Sequence, residues 1–247
     1  LGDSSQFRHR WRHHGHTKLK EPFLSKSIVL LVRKADTSPE AFKQQLTGEF
    51  AVAAQAVPGV RGLIVHEIVR EMIRADIPTL LIGDTIDAIV EWWADEAATR
   101  DALLAQLPGS VTRLKAFLVE EDVIIPFQMP RADIRIKTMA FLCRKEGELL
   151  PAFRHHWHDG HGGMARVVPY LQGFILNDIC GTQERTDVPA IDFGKADGVA
   201  EGWLESPEAQ QLMVATPEAK TWFKDGSQTF GQIKSFLTRE IVLIDPP

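Results

Sequence analysis

Segments whose apolar residues alternate, as in a half-buried strand, take turns along the chain with segments whose apolar residues recur at helical spacing. The first half predicts strands near 27–33, 60–69, 86–93 and 112–120, with helices near 38–56 and 95–106. The second half predicts strands near 137–144, 171–180, 197–204 and 234–243, and a short additional helix before the last strand. Pro39 and Pro151 fall where a helix begins, the turn in which proline's missing N–H leaves no hydrogen bond unmade.

The two series are copies of each other. Laying Lys26-Ser27-Ile28-Val29-Leu30-Leu31 over Lys137-Thr138-Met139-Ala140-Phe141-Leu142, a shift of 111, begins an ungapped alignment. It carries Phe42 onto Phe153, Pro58 onto Pro169, Gly62 onto Gly173 and Pro78 onto Pro189; after a one-residue slip, Asp87, Glu91 and Trp93 fall on Asp197, Glu201 and Trp203. Such a repeat takes precedence over any local reading. Each copy has the order βαββαβ of a ferredoxin-like unit, and a four-stranded sheet with both helices on one face leaves its other face bare. The expected fold class is therefore α+β, with two ferredoxin-like repeats packed as one intramolecular dimeric α+β barrel. The divisions are a basic arm at 1–25, a first, degenerate repeat at 26–122, a linker at 123–135 containing Pro126 and Pro130, and a second, site-bearing repeat at 136–247.

Composition narrows the partners. The net charge of -5 and pI near 6.0 give no basic footprint for nucleic acid. The basic residues that do cluster lie in the arm, which is expected to contribute nothing to the fold. No run approaches the roughly 18 apolar residues that span a bilayer, and only Cys143 and Cys180 occur, so neither a disulfide framework nor a cysteine metal site is indicated. A cytoplasmic protein, without membrane or nucleic-acid partners and with self-association left open, is the expectation.

Phe153-Arg154-His155-His156-Trp157-His158-Asp159-Gly160-His161, followed by Val168-Pro169-Tyr170-Leu171, resembles the helix signature of the ethyl tert-butyl ether degradation (EthD) family. Asp197 to Trp203 and the following Ser206-Pro207-Glu208-Ala209 resemble its third strand and second helix. The resemblance covers about 136–243 well and 26–121 weakly. It implies the dimeric α+β barrel superfamily, whose members include cyclases, decarboxylases, lactone isomerases and haem enzymes, and so implies fold better than reaction.

Alternation along the third strand puts Asp197, Val199, Glu201 and Trp203 on one face and Gly198, Ala200, Gly202 and Leu204 on the other. The carboxylate face is expected to look into the barrel, where burial raises a carboxylate's pKa toward that of a neutral-pH acid or base. The alternative is that these acids, Asp197 and Glu201 with Asp87 and Glu91 of the first copy, cap loops or pair with arginines such as Arg33 and Arg144. His161 stands among Gly160, Gly162 and Gly163, which let backbone approach a ligand, whereas its first-copy counterpart is Phe50. That asymmetry points to one active half, with a pocket bounded by His161, Glu201, Asp197 and Trp203.

His161, Glu201, Asp197 and His158 are the catalytic candidates; Trp203, Trp157, Asn177, His66 and Phe174 are candidates for substrate contact. His155 and His156 read as solvated, and the glycines make a continuous helical ridge doubtful. No metal spacing is complete and no cofactor is implied. The long loops near 69–86 and 180–196 are of a length that often carries binding; Arg70, Arg74 and Arg185 within them read by default as solvated surface residues, with an anionic substrate as the alternative partner. The leading function is a cofactor-independent lyase or isomerase acting by acid-base catalysis on a hydrophobic, aromatic or polyketide-like small molecule. The alternatives are a non-catalytic binding or accessory protein of an oxygenase pathway, and a haem or metal enzyme on the same barrel.

Overall fold

Each repeat opens with a strand whose two faces serve different cores. In β1 (Ser25–Arg33), Val29 and Leu31 pack under helices, while Ile28 and Leu30 pack inward. A computed structural model describes residues 25–247 and closes these strands into a single barrel; the arm lies outside the described residues.

The first repeat runs β1, α1 (Pro39–Thr47), α2 (Glu49–Gln55), β2 (Val60–Met72), β3 (Ala88–Ala94), α3 (Ala97–Gln106) and β4 (Val111–Ile125). The second runs β5 (Ile136–Arg144), α4 (Leu150–His155), a π-helical turn (His156–Gly162), α5 (Gly163–Ala165), β6 (Leu171–Gln183), β7 (Gly198–Leu204), α6 (Pro207–Ala215), α7 (Pro217–Thr229) and β8 (Phe230–Ile244). Strand order is β1-β3-β2-β8-β5-β7-β6-β4, antiparallel throughout and closed through β4 and β1. Each repeat keeps its four strands together, and the repeats are stitched by β2 to β8 and by β4 to β6. Closure leaves no open edge in the sheet.

The differences from the sequence reading have local causes. The helix expected over 38–56 divides at Gly48, whose backbone leaves the helical region. Strand β4 runs on to Ile125, paired with β6, so the first three residues of the expected linker are strand, and a short 3-10 turn at Arg131–Asp133 precedes β5. The glycine-rich segment does not break the helix after Leu150. It widens one turn into π form and resumes, so the helical ridge is continuous.

Three cores result. Two lie between the sheet's outer face and the helices of each repeat. The third fills the lumen, around Ile28, Leu30, Ile89, Phe117, Met139, Phe141, Val199 and Phe236. The long loops stopper one end of that lumen, inserting Leu80, Ile191 and Phe193. Their arginines act as clamps: Arg74 bonds Asp76 and the Phe223 carbonyl, and its equivalent Arg185 bonds Asp187 and the carbonyls of Leu104 and Leu107. Each loop is thereby tied to the last helical segment of the other repeat.

Candidate functional site

Two groups of chemically capable side chains emerge, on opposite faces of the same sheet. The first fills the open end of the lumen with charge. Lys26 and Lys137, at equivalent positions of β1 and β5, are fully buried. Lys26 Nζ lies 2.8 Å from Glu201, 3.2 Å from Glu91 and 3.1 Å from Glu121; Lys137 Nζ lies 2.7 Å from Glu91, 3.2 Å from Glu201 and 3.3 Å from Glu240. Trp93 Nε1 donates to Glu121 at 2.7 Å and Trp203 Nε1 donates to Glu240 at 3.0 Å, repeating the pattern about a pseudo-twofold axis. Arg131 adds a bidentate pair with Glu240.

Burial, reinforced by the neighbouring Glu91 carboxylate, pushes Glu201 up to about 8. Burial also opposes ionisation of Glu91, but Lys137 and Lys26 prevail and hold it well below the usual range. Glu240 is drawn down to about 2 against its own burial by Lys137 and Arg131. With Glu201 protonated, three carboxylates face three cations, so the cluster is neutral. His66 bonds Glu91 at 2.9 Å and is kept uncharged by burial and by Lys137. His66, Glu91 and Glu240 come within 4.8 Å of one another as metal ligands would, but the Lys137 ammonium already stands between the two carboxylates as their cation. Asn177, in the strand position equivalent to His66, donates to the Val199 carbonyl.

The acids at the strand ends have structural partners. Asp87 bonds the Arg33 backbone and side chain, and Asp197 bonds Arg144 in the same way.

The second group surrounds a cavity of 380 Å³ between the outer face of the second repeat's sheet and its helices. Thr138, Ala140, Ala200, Phe174, Ile233 and Ser235 form the floor; Met213, Val214, Trp222 and Phe223 of α6 and α7 form the roof. The rim comes from the other repeat, where the end of β2 brings Arg70, Met72, Ile73 and Arg74 over the opening. The cavity exists because side chains are missing from a duplicated plan. Where the first repeat has Val29, Val90 and Trp92 facing its helices, the second has Ala140, Ala200 and Gly202. Trp92 is wholly buried, whereas at Gly202 even a Cβ would stand 2.9 Å from Thr138 Oγ1, so the open volume lies over Ala140 and Ala200.

His161 lines this cavity from the π turn. Its Nδ1 lies 2.8 Å from Asp225 Oδ2, and its ring stacks on Trp222 at 5.2 Å, with Phe230 edge-on at 5.0 Å. An ionised carboxylate can only accept, so Nδ1 carries the hydrogen and Nε2 keeps a lone pair. Burial outweighs Asp225 and holds the imidazole down at about 4, hence neutral at physiological pH. Gly226 leaves room for the ring: a Cβ there would stand 3.2 Å from His161 Cε1.

The sequence-derived candidates are therefore divided. His161 and Phe174 line the cavity. Glu201 and Trp203 face the lumen, and Asp197 lies at that face's edge, because alternate residues of β7 project to opposite sides; the pocket is not bounded by these three together with His161. His66 and Asn177 are also lumen residues. Trp157 is buried against Gly198, where a Cβ would come within 2.2 Å of the indole, and stacks on Phe153. His158 points away from the cavity, bonding Asp178 at 3.3 Å and Asp122 at 2.7 Å; the Asp178 bond foremost raises its pKa. Sequence reasoning missed Asp225, Trp222, Lys26 and Lys137. The lysines were legible as the residues that open the strand alternation Lys26-Ile28-Leu30 and Lys137-Met139-Phe141, but Asp225 lies on a helix without a counterpart in the first repeat.

Residues 135–243 match the family described as methylmuconolactone methyl-isomerase. A 4-carboxymethyl-4-methylbutenolide mutase from Pseudomonas reinekei is 33% identical over 82 residues, which is 33% of this chain and 77% of that protein. Among solved structures, an anthrone oxidase-like protein superposes with a TM-score of 0.58 at 9% identity, over 88% of this chain and 91% of that one. A mutant chlorite dismutase from Candidatus Nitrospira defluvii gives 0.52 at 12% identity, over 89% and 92%. These structural likenesses establish the barrel alone. The EthD resemblance holds at the level of the dimeric ferredoxin-like α+β barrels to which such isomerases are related. No helix among the described residues is long and apolar enough to cross a membrane.

Proposed function

This chain belongs to the methylmuconolactone methyl-isomerase family, and from that premise we propose that it is an isomerase whose reaction takes place in the helix–sheet cavity of its second repeat. The observation that carries the reading is His161, a neutral imidazole facing an apolar chamber with Nδ1 fixed by Asp225. In that state Nε2 accepts a proton from the carbon beside the substrate carboxylate as the lactone C–O bond breaks, and returns it to another carbon as the ring closes through a new C–O bond, so that no atom is gained or lost. Asp225 fixes the tautomer and stabilises the imidazolium that forms transiently, as the acidic member of a catalytic triad does.

The chamber suits a small, flat, mostly apolar molecule, with Trp222 and Phe174 as its aromatic walls. A carboxylate on such a molecule has a partner at the rim. Arg70 makes no ion pair among the described residues, and its equivalent in the other repeat is Gly181, so the cation is present only where the cavity is open. Arg74 is already engaged by Asp76. The substrate class is thus a small unsaturated lactone bearing a carboxylate, of the kind in the name of the P. reinekei mutase.

The test is to incubate the purified protein with 4-carboxymethyl-4-methylbutenolide and follow the proton NMR spectrum. Appearance of an isomer of unchanged mass supports the reading. An unaltered spectrum at enzyme concentrations comparable with substrate, or a product of different mass, contradicts it.

A further inference from the structure

The π turn does something for His161 that an α-helix would not. Residues five apart lie about 140° apart around an α-helix, so their side chains diverge. In the wider turn at His156–Gly162, His156 and His161 instead converge on the two oxygens of one carboxylate. His161 Nδ1 stands 2.8 Å from Asp225 Oδ2, and His156 Nε2 stands 3.4 Å from Asp225 Oδ1. A glycine lies against each ring. A Cβ at Gly160 would come within 3.1 Å of the His156 imidazole, and one at Gly226 within 3.2 Å of His161. The two histidines differ sharply in exposure: His161 is buried, whereas the His156 side chain is 49% exposed. Thr229, one turn further along α7, donates to Asp225 and helps to hold it between them.

We propose that His156, Asp225 and His161 form a proton relay that connects the imidazole in the cavity to solvent on the far side of the helix. The inference deepens the isomerase reading, because it gives the proposed base a route for exchanging its proton while substrate closes the cavity mouth.

The steps balance. A proton arriving at His161 Nε2 forms one N–H bond and gives the imidazolium that Asp225 stabilises during turnover; the relay is a separate exchange step, in which the Nδ1–H bond then breaks and its proton passes to Asp225 Oδ2. The neutral carboxyl turns about its Cβ–Cγ bond and gives the proton to His156 Nε2, from which water takes it. Asp225 returns to carboxylate and both imidazoles end neutral, His161 now with its hydrogen on Nε2, and one proton has moved outward; the reverse sequence brings one in and restores the Nδ1–H tautomer. His156 is a positioning and exchange residue in this scheme. It touches Asp225, and substrate meets only His161.

The relay is tested on the free protein, so that its outcome is independent of whether any given lactone is turned over. With 15N-histidine labelling, the exchange rate of the His161 Nδ1 proton with water is measured by NMR in wild type, His156→Gln and His156→Phe. Both variants are expected to exchange at least about tenfold more slowly, with the His161 Nδ1–H resonance retaining the downfield position of a carboxylate hydrogen bond. Added imidazole should restore part of the rate in His156→Ala, which leaves the ring's place open, and should not do so in the Phe variant, where it is filled. Gly160→Ala should slow exchange as well, by pushing the His156 ring off Asp225. Exchange at the wild-type rate in the Gln and Phe variants, with that hydrogen bond intact, would overturn the relay, as would a resonance showing that His161 had left Asp225 in wild type. Failure of the lactone assay with slowed exchange in the variants would reject the substrate reading and keep the relay.

Discussion

Glu91 and Glu201, equivalent positions on β3 and β7, share the ammoniums of Lys26 and Lys137 in the barrel lumen, each lysine Nζ lying within 3.2 Å of both carboxylates. Glu201 is the one held toward its protonated form, by burial and by the neighbouring Glu91 carboxylate, while Glu91 alone has the ring of His66 at 2.9 Å.

A pH dependence of stability follows. The folded chain holds the Glu201 proton up to about 8, whereas an unfolded glutamate loses it near 4.3. Native protein therefore binds more protons than unfolded across that interval, and stability declines as pH rises through it. Below about 6.5 the neutral buried histidines, His66 and His161, oppose that slope, since unfolded histidine takes up a proton there. Between pH 6.5 and 8 the wild type should lose stability at up to about 1.4 kcal/mol per pH unit from Glu201. Glu201→Gln, which copies the protonated acid, should remove that decline. Urea titrations of both proteins at pH 6.5, 7.25 and 8 check it; parallel slopes would mean that Glu201 is already ionised.

Removing a lumen cation leaves a buried carboxylate without its partner. Lys137→Met should cost about 3–5 kcal/mol, while the compensated pair Lys137→Met with Glu91→Gln should recover a large part of it. Guanidinium unfolding of the two variants reads the difference. Equal losses would assign the effect to packing of the lysine stem alone.

The empty volume under the second repeat's helices should be fillable with the first repeat's own residues. Ala140→Val with Ala200→Val reinstates Val29 and Val90 in the site-bearing half. The double variant is expected to melt within a few degrees of wild type and to raise KM for the lactone by about tenfold or more, because it narrows the floor without touching His161. In the opposite direction, Trp92→Ala hollows the first repeat and should cost about 3–5 kcal/mol with no change in kcat. Calorimetry and steady-state rates separate the two results.

At the rim, Arg70→Ala should raise KM with little change in melting temperature, whereas Arg74→Ala should lower the melting temperature. Arg74 holds the loop to the Phe223 carbonyl, and Arg70 holds nothing within the described residues. Equal KM effects in the two variants would deny Arg70 a distinct role.

The barrel was legible because duplication is a long-range signal: Lys26 over Lys137 and Glu91 over Glu201 fix two copies of one unit, and a one-faced sheet demands a second layer. Alternation in β7 also separated the acids from the glycines correctly by face. It did not reveal which face carries the cavity. A sequence alone points to the lumen as the place for a ligand, but Phe117, Phe141 and the loop residues Leu80 and Phe193 fill one end, and ion pairs fill the other. The open volume lies instead on the small-residue side, which a sequence alone reads as close helix packing. His161 stood out through its contrast with Phe50. Asp225 did not, because a residue 64 positions away on an unduplicated helix gives no pattern to compare.

Chemistry at His161 is the central claim, and turnover of 4-carboxymethyl-4-methylbutenolide by His161→Gln measures it most directly. The glutamine keeps a polar side chain beside Asp225 and removes the proton-accepting ring nitrogen. The expected result is a fall in kcat of about 10²- to 10⁴-fold, with the far-ultraviolet circular dichroism and melting temperature close to wild type. A variant that folds normally and isomerises the lactone at the wild-type rate would contradict it.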